Sequence, residues 1–302
     1  MRVLVTGAHG KVGRALVPGL MRAGHQVRAT DLTRPQWDRL QDPRETEDYV
    51  QADLTDAGAC HALVRGCDAV VHTAAIPQPI HNPAHVVFGN NLLATFNVLE
   101  AAIAAGVRRF VNFSSETVPG WIFADRPFEP EYLPIDEEHP IRPQDPYGTA
   151  KWFGELLMER ASERADLAAI SIRPCWVQDI DSYERNLGPI VRDPSVLIRN
   201  FCSYVDVYDL VDATVLAVES KLRGHEVVYV ASPDTIGGHP LEEIVRRRHR
   251  LKKIVIRPLP RPDASAIDSS KARRLLGWEP KRSWRDYLDE QGKLREGAAA
   301  PW

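Results

Sequence analysis

The chain has 302 residues, room for one large α/β domain or for a large domain with a small one beside it. Its apolar and charged fractions are those of an ordinary globular protein, and a formal net charge of −3 leaves no overall positive field to draw in nucleic acid. Cys60, Cys67, Cys175 and Cys202 form no C-x-x-C pair and no zinc-ligand spacing, so they read as free, mostly buried thiols of a reducing compartment, with no metal site expected.

Met1 leads straight into a strand-like Arg2–Thr6 with no charged n-region and apolar h-region. No uninterrupted apolar run approaches the roughly 18 residues of a membrane span. The expectation is a cytoplasmic protein with neither membrane nor nucleic-acid partner.

In chain order, the first two-thirds alternate short apolar runs with segments of helical period. Val3-Leu4-Val5 is the middle of a buried strand, and Lys11–Ala23 a helix with Val12, Leu16 and Leu20 on one stripe. Gln26–Thr30 is a second strand ending at Asp31. A weaker third strand covers Asp48–Ala52, a short helix Asp56–Val64 and a fourth strand Ala69–Thr73. The long helix Ala84–Ala105, a strand at Arg109–Phe113, the helix Tyr147–Ala165 and a strand at Ala168–Arg173 follow. This alternation predicts parallel strands joined by crossover helices, with both faces of the sheet covered.

Two stretches break the rhythm. Glu116–Asp145 is long and rich in Pro and acidic residues, and its aromatics Trp121, Phe123, Phe128 and Tyr132 predict an ordered flap. Trp176–Tyr204 is similarly irregular. The last third predicts a helix near Tyr208–Glu219, a strand at Glu226–Val230, a helix near Leu241–His249, a strand at Ile254–Ile256 and short helices at Ser270–Leu276 and Trp284–Gln291. The basic run Arg246–Arg250 with Lys252 and Lys253 reads as a solvated helix face.

Thr6-Gly7-Ala8-His9-Gly10-Lys11-Val12-Gly13 closes the first strand and opens the first helix. In that context the three glycines have distinct uses: Gly7 for the tight turn, Gly10 for close approach of a pyrophosphate, Gly13 for packing helix on sheet. The helix N-terminus adds free N–H groups and partial positive charge. Asp31 ends the second strand roughly twenty residues on, where a carboxylate accepts hydrogen bonds from an adenosine ribose and repels a 2′-phosphate. NAD is therefore expected over NADP, with Arg28 and Arg34 as the nearby basic residues that would favour NADP.

Tyr147-Gly148-Thr149-Ala150-Lys151 sets Tyr and Lys four apart on one helical face. A neighbouring ammonium lowers a phenol's pKa from its usual value near 10, which makes Tyr147 a proton donor or acceptor. Ser114 and Ser115 end the fifth strand, at the carboxyl edge where parallel sheets bind ligands. Either can reach a substrate oxygen.

With these motifs in this order, the chain resembles the extended short-chain dehydrogenases/reductases of the NAD-dependent sugar epimerase/dehydratase superfamily. The resemblance runs over most of the chain. It implies a doubly wound parallel Rossmann-type sheet with a small C-terminal substrate-binding lobe. It implies NAD held by Gly7, His9, Gly10, Lys11, Val12, Gly13 and Asp31, with Asp53-Leu54 at adenine and Thr73-Ala74-Ala75 along the cofactor. Ser114, Tyr147, Lys151, Pro174 and Trp176 complete the cofactor set. Ser115, Tyr147, Lys151 and Asn91 take the catalytic positions, the last on a helix segment whose Asn is structural or relays protons. The run 204–210, Tyr-Val-Asp-Val-Tyr-Asp-Leu, resembles the Val-x-Asp segment opening the C-terminal lobe, and Ser270–Trp278 the closing Lys-Ala…Leu-Gly-Trp of such enzymes.

The chain departs from the sugar-epimerase pattern at Pro119, where many members carry an aromatic, and at Cys175-Trp176-Val177-Gln178, which lacks an Asn that touches a nucleotide-sugar. The segment 176–204 is also compact for a lobe that holds a nucleotide diphosphate. Three readings follow. The first is hydride transfer at a carbinol carbon of a sugar or nucleotide-sugar, as in an epimerase or dehydratase. The second is an NAD-dependent dehydrogenase of a free sugar, uronate or other small alcohol. The third, from another class, is a dinucleotide-binding sensor, which would have no use for an intact Ser115-Tyr147-Lys151 set.

Residues 1–173 are expected to form the NAD-binding domain, with 205–220 packing back on it and 174–302 mainly the substrate lobe. A homodimer is expected through Ala84–Ala105 and Tyr147–Ala165, with Val98, Ile103, Phe153 and Leu157 at the contact. His72, His81 and His85 read as satisfied or exposed histidines, Glu116 as a loop carboxylate, and Trp121, Trp152 and Trp176 as packing residues.

Overall fold

The computed structural model describes residues 1–33, 48–248 and 254–301. A seven-stranded sheet runs through the molecule, built from β1 (Arg2–Thr6), β2 (Gln26–Asp31), β3 (Asp48–Gln51), β4 (Ala69–His72), β5 (Arg109–Phe113), β7 (Ala168–Pro174) and β10 (His225–Val230). Their order across the sheet is β3-β2-β1-β4-β5-β7-β10, and every pairing is parallel. The winding reverses between β1 and β4, and a crevice at such a reversal, beyond the carboxyl ends of the strands, is where doubly wound sheets bind ligands.

The strand residues explain the two-sided burial. Val3 and Val5 belong to one apolar core and Leu4 to the other, as the period of two requires. The Val3–Val5 face is covered by α1 (Lys11–Arg22) and α7 (Val207–Glu219). The Leu4 face is covered by α2 (Ala57–Val64), α3 (Ala84–Ala104) and α4 (Pro146–Arg164). Gly19 lets α1 and α7 meet: a Cβ there would stand 2.3 Å from Val211 Cγ1.

The α/β alternation lies where the sequence predicts it, with ends shifted by about one residue. Asp56 and Asp145 account for two of the starts. Asp56 caps α2 by accepting from Ala59 N–H, and Asp145 caps α4 by accepting from Tyr147 and Gly148 N–H.

The flap 116–145 is ordered. Within it, β6 (Tyr132–Leu133) pairs with β11 (Val255–Ile256), Trp121 is buried, and Glu137 accepts from Tyr229 N–H at 2.7 Å. Segment 176–204 holds β8 (Val177–Gln178), the short α5 (Ile180–Ser182), one π-helical turn at Tyr183–Leu187 and α6 (Gly188–Arg192). It returns through β9 (Val205–Asp206), which pairs with β8.

Three expectations change. The helix expected over Trp284–Gln291 stops at Tyr287, because Asp289 accepts from Gln291 and Lys293 N–H and Gly292 turns the chain at φ +67°. The basic run is not simply a solvated face. Arg246 is exposed, but Arg247 donates to Pro194 O and Arg248 to Ile198 O and Arg199 O. Its further members 249, 250, 252 and 253 lie outside the described residues, as does Arg34. Val98 is fully buried in its own core and cannot join a subunit contact.

Helix α3 is long and apolar enough to cross a bilayer by length and mean hydropathy, with half of its most apolar stretch buried inside the fold. It is a core helix packed between α2 and α4. Its outer side carries Leu93 and Phe96, both near 45% exposed.

Candidate active site

All but one of the predicted site residues line a single cleft of about 1180 Å³ at the carboxyl ends of β1, β2, β4, β5 and β7. The glycine loop forms one wall. Gly7 is left-handed at φ +68°, and a Cβ on it would lie 2.9 Å from Ala74 N. A Cβ on Gly13 would lie 2.1 Å from Gly7 O, so Gly13 is required by the fold itself. Gly10 is less crowded, with Gly7 O at 3.2 Å as its only close neighbour among the described residues. Gly10 is also the N-cap of α1 and supplies no side-chain acceptor, which leaves the first N–H groups of the helix open toward the cleft. These features fit a dinucleotide pyrophosphate.

Asp31 braces the loop by accepting from His9 N–H at 2.9 Å, and its other oxygen accepts from Leu32 N–H at 2.7 Å. Arg28 is engaged elsewhere. It pairs with Asp48 and donates to the carbonyls of Leu63 and Arg65. Asp53 closes a turn on Thr55, and Asn97 holds the next carbonyls, Leu54 O and Thr55 O, both at 3.0 Å. Thr73 is fixed by its hydroxyl bond to Thr6 O at 2.6 Å. Lys11 reaches across from the loop to Val177 O and Ser182 Oγ, with Asp179 at 3.7 Å. It therefore links the cradle to segment 176–204.

Helix α4 delivers Tyr147 and Lys151. Burial pushes the Tyr147 phenol up to about 12, against the pull of its hydrogen bond with Ser115; Asp145 and Glu116 push it further. Burial pulls the Lys151 ammonium down to about 8. The expected lowering of Tyr147 by Lys151 does not hold in this geometry. Both groups are desolvated, the ammonium sits 5.8 Å from the centre of the phenol ring, and it donates to Phe113 O at 2.7 Å.

The serine pair divides its work. Ser115 Oγ accepts from the N–H and hydroxyl of Thr117 at 3.1 and 3.0 Å, leaving its own proton for Tyr147 or a ligand. Ser114 Oγ donates to Glu155, a buried carboxylate also held by Arg173 at 2.7 and 2.8 Å. Ser114 lines the cleft, but its hydroxyl is tied to the structure beneath.

Asn91 is the exception. Its carboxamide accepts from Ile76 N–H at 2.8 Å and donates to Ile76 O at 3.0 Å, and the residue lining the cleft there is Asn90. The geometry gives Asn91 a structural part, fixing the 73–78 wall. His72 is likewise structural, bound to Thr6 and Thr95, its pKa lowered by burial to about 3. His81 and His85 are exposed.

The far end of the cleft contains residues that sequence reasoning passed over. Glu116 is buried and lines the cleft, with Cys175 Sγ donating to it at 2.9 Å and Asn200 Nδ2 at 3.3 Å. Burial raises its carboxyl to about 7, against those two bonds and the Trp176 N–H. Positions 116, 175 and 200 share no sequence motif. Only the acidic residue directly after a catalytic-type serine was a signal. Among the described residues no group of His, Cys, Asp and Glu is arranged to hold a metal.

The profile of the NAD dependent epimerase/dehydratase family matches residues 3–178. A uronate dehydrogenase of Agrobacterium fabrum is 35% identical over 78% of this chain and 78% of its own. A UDP-glucose 4-epimerase of Lactobacillus helveticus is 27% identical over 93% of this chain and 92% of its own. The crystal structure of a short-chain dehydrogenase/reductase superfamily protein from Agrobacterium tumefaciens with bound NAD superposes with a TM-score of 0.71, at 26% identity over 94% of both chains. The chain is a member of the NAD-dependent epimerase/dehydratase family, an enzyme that uses NAD for hydride chemistry on sugar substrates.

Proposed function

We propose that this enzyme is an NAD-dependent dehydrogenase of a free sugar. The observation that carries the reading is the closure at the far end of the cleft. The flap and the 193–204 loop are hydrogen-bonded to each other, Trp121 Nε1 to Arg199 O at 3.0 Å and Arg199 Nη1 to Ile122 O at 2.8 Å. We read this tie between flap and loop as closing off the groove that a nucleotide diphosphate would need, which favours a smaller substrate. The 35% identity to a uronate dehydrogenase supports the same choice.

In this reading the cradle 7–13, Asp31, Asp53-Leu54 and Thr73-Ala74-Ala75 hold NAD, with Pro174 and Trp176 bordering its reactive end. Bound NAD supplies the carbon that takes the hydride. Ser115 donates to the substrate hydroxyl oxygen and steadies it. Tyr147 takes the hydroxyl proton. Lys151 holds a ribose hydroxyl. Asn91 positions the wall beside them. Segment 174–204 and the elements after β10 shape the substrate side, and the four buried thiols suit a reducing, cytoplasmic setting.

The test is turnover of purified protein on a panel of aldoses, hexuronates and UDP-sugars. One NADH per sugar oxidised supports the reading. Interconversion of UDP-sugar epimers without net NADH, and no oxidation of free sugars, overturns it.

The same reading includes a homodimer. Phe88, Leu92, Leu93, Phe96, Phe153 and Leu156 make an apolar hollow on the outer side of α3 and α4. A second copy would cover it as a four-helix contact. A monomer by light scattering at micromolar concentration overturns this part.

A further inference from the structure

We propose that Arg248 is a specificity-determining positioning residue: from the end of α8 (Leu241–Arg248) it clamps the loop before β9 onto the flap, and that clamp sets the largest sugar the cleft admits. On the dehydrogenase reading, it is the part of the molecule that enforces a small substrate.

The loop has no regular structure of its own. Residues 193–200 form neither helix nor strand, yet Ile198 and Arg199 line the cleft, as do Ile122 and Phe123 of the flap. Flap and helix meet at one oxygen. Arg199 O accepts from Trp121 Nε1 at 3.0 Å and from Arg248 Nη1, which occupies both lone pairs of that carbonyl. The same guanidinium donates to Ile198 O at 3.0 Å, and its Nε stands 3.8 Å from Oε2 of Glu129 on the flap. That carboxylate oxygen is buried with no hydrogen bond among the described residues, so its tie to Arg248 is one of charge. One side chain thus holds loop and flap together.

The backbone beyond the clamp depends on it. Phe201 and Cys202 are non-glycine residues at φ +57° and +59°, and such conformations persist only where surrounding contacts enforce them. Arg248 Cζ lies 4.4 Å from the centre of the buried Phe201 ring. Leu241, Ile244 and Val245 sink α8 into the main core, so Arg248 works from a fixed base. Its neighbour Arg247 donates to Pro194 O at 2.9 Å and holds the other end of the loop.

These contacts call for arginine. Its planar fork spans two carbonyls while its face lies on a ring, whereas a lysine offers a single point charge. Arg248 is not among the residues lining the cleft, so it acts on substrate through the loop. Losing it takes one of the two donors from Arg199 O and the only guanidinium from Ile198 O among the described residues, which lets loop and flap part and enlarges the substrate end. Damage to the fold at large would instead depress every substrate alike.

The experiment reads kcat/KM for monosaccharides, reducing disaccharides and UDP-sugars with wild type, Arg248→Met, Arg248→Lys and Trp121→Phe, beside thermal melts and NAD titration. Wild type is expected to favour its best monosaccharide over the larger sugars by about a hundredfold or more. Arg248→Met is expected to narrow that preference about tenfold or more, through a higher KM for the small sugar and a measurable rate on the large ones, with kcat on the small sugar and NAD affinity within about threefold of wild type. Arg248→Lys keeps the cation without the fork, and a narrowing of about threefold is expected; it carries the test if the Met variant does not fold. Trp121→Phe removes the other donor to Arg199 O and is expected to shift the preference in the same direction. A preference unchanged in either the folded Arg248 variant or Trp121→Phe, or a fall in rate equal for small and large sugars, overturns the proposal. So does a wild type that oxidises monosaccharides and disaccharides equally well, a result that needs no variant to fold. All of these leave the dehydrogenase reading standing. A wild type that turns over UDP-sugars and no free sugar overturns that reading, and the size limit with it.

Discussion

The two ends of the cleft are built on different principles. At the cofactor end the work is done by backbone and by the absence of side chains: an uncapped helix N-terminus, a left-handed glycine, and a helix packed so close that a Cβ at Gly13 would overlap Gly7 O. At the substrate end it is done by buried side chains drawn from distant parts of the chain, with Glu116, Cys175 and Asn200 in mutual contact. The first arrangement suits a ligand common to a whole family. The second puts buried polar side chains on the flap and the 193–204 loop, segments that can change without disturbing the sheet.

The sharpest break in this comparison comes from the glycines. Gly10→Val is expected to abolish NAD binding while the protein still unfolds cooperatively, because its side chain enters ligand space with, among the described residues, only Gly7 O nearby at 3.2 Å. Gly13→Val is expected to prevent folding, because its first carbon already overlaps backbone. Calorimetric NAD titration with circular dichroism on both variants checks this. Normal NAD affinity in Gly10→Val would remove the cradle from the cofactor site.

Next in size is the proton. Tyr147→Phe keeps the ring and removes the hydroxyl, so kcat is expected to fall about 10²–10⁴-fold with NAD affinity nearly unchanged. Lys151→Met is expected to damage both. Ser115→Ala should cost less than Tyr147→Phe. Ser114→Ala should act mainly on stability, since its hydroxyl serves the Glu155–Arg173 pair. Steady-state kinetics beside thermal melts separates these cases, and near-normal turnover by Tyr147→Phe would sink the mechanism.

The substrate end has a pH signature of its own. Burial raises Glu116 from about 4.5 to about 7. Between those values the folded state holds a proton that the unfolded state has released, so the contribution of Glu116 to stability falls as pH rises through that window and is level above it. The sum is on the order of 3 kcal/mol. Glu116→Gln cannot titrate, so the stability difference between wild type and variant is expected to shift against wild type from pH 4.5 to pH 7. Parallel denaturation curves across that range would show that Glu116 is already ionised at low pH in the folded protein.

What was legible in the sequence follows the same division. The strand–helix alternation, the cradle, Asp31 and the Tyr147–Lys151 pair are local: each depends on spacing within a turn or an element, so composition and period expose them. Asn91 and Ser114 were legible as positions but not as roles. Whether a carboxamide or hydroxyl faces ligand or backbone depends on Ile76 and Glu155, which lie across the fold. The partnership of Glu116 with Asn200 spans 84 residues and leaves no periodic trace. Arg248 looked like one charge in a basic run, although its task is to hold the carbonyls of 198 and 199.

The smallest expected effect sharpens the cofactor end. Asp31 has one oxygen on His9 N–H and the other on Leu32 N–H, so its carboxylate is held at the end of β2, where it lines the cleft. There it can accept from ribose hydroxyls and repel a 2′-phosphate. The nearby described cation, Arg28, is committed to Asp48 and two carbonyls and is not placed to neutralise a second phosphate. NAD should therefore bind at least about tenfold more tightly than NADP, a gap of about 1.4 kcal/mol. Asp31→Ser should narrow that ratio mainly by improving NADP, since repulsion is lost, and should weaken NAD less, since Ser still offers an acceptor. Titration of both nucleotides against both proteins gives the four constants needed. A wild type that prefers NADP, or an Asp31→Ser variant with the ratio unchanged, would show that the carboxylate braces the loop through His9 and does not read the ribose.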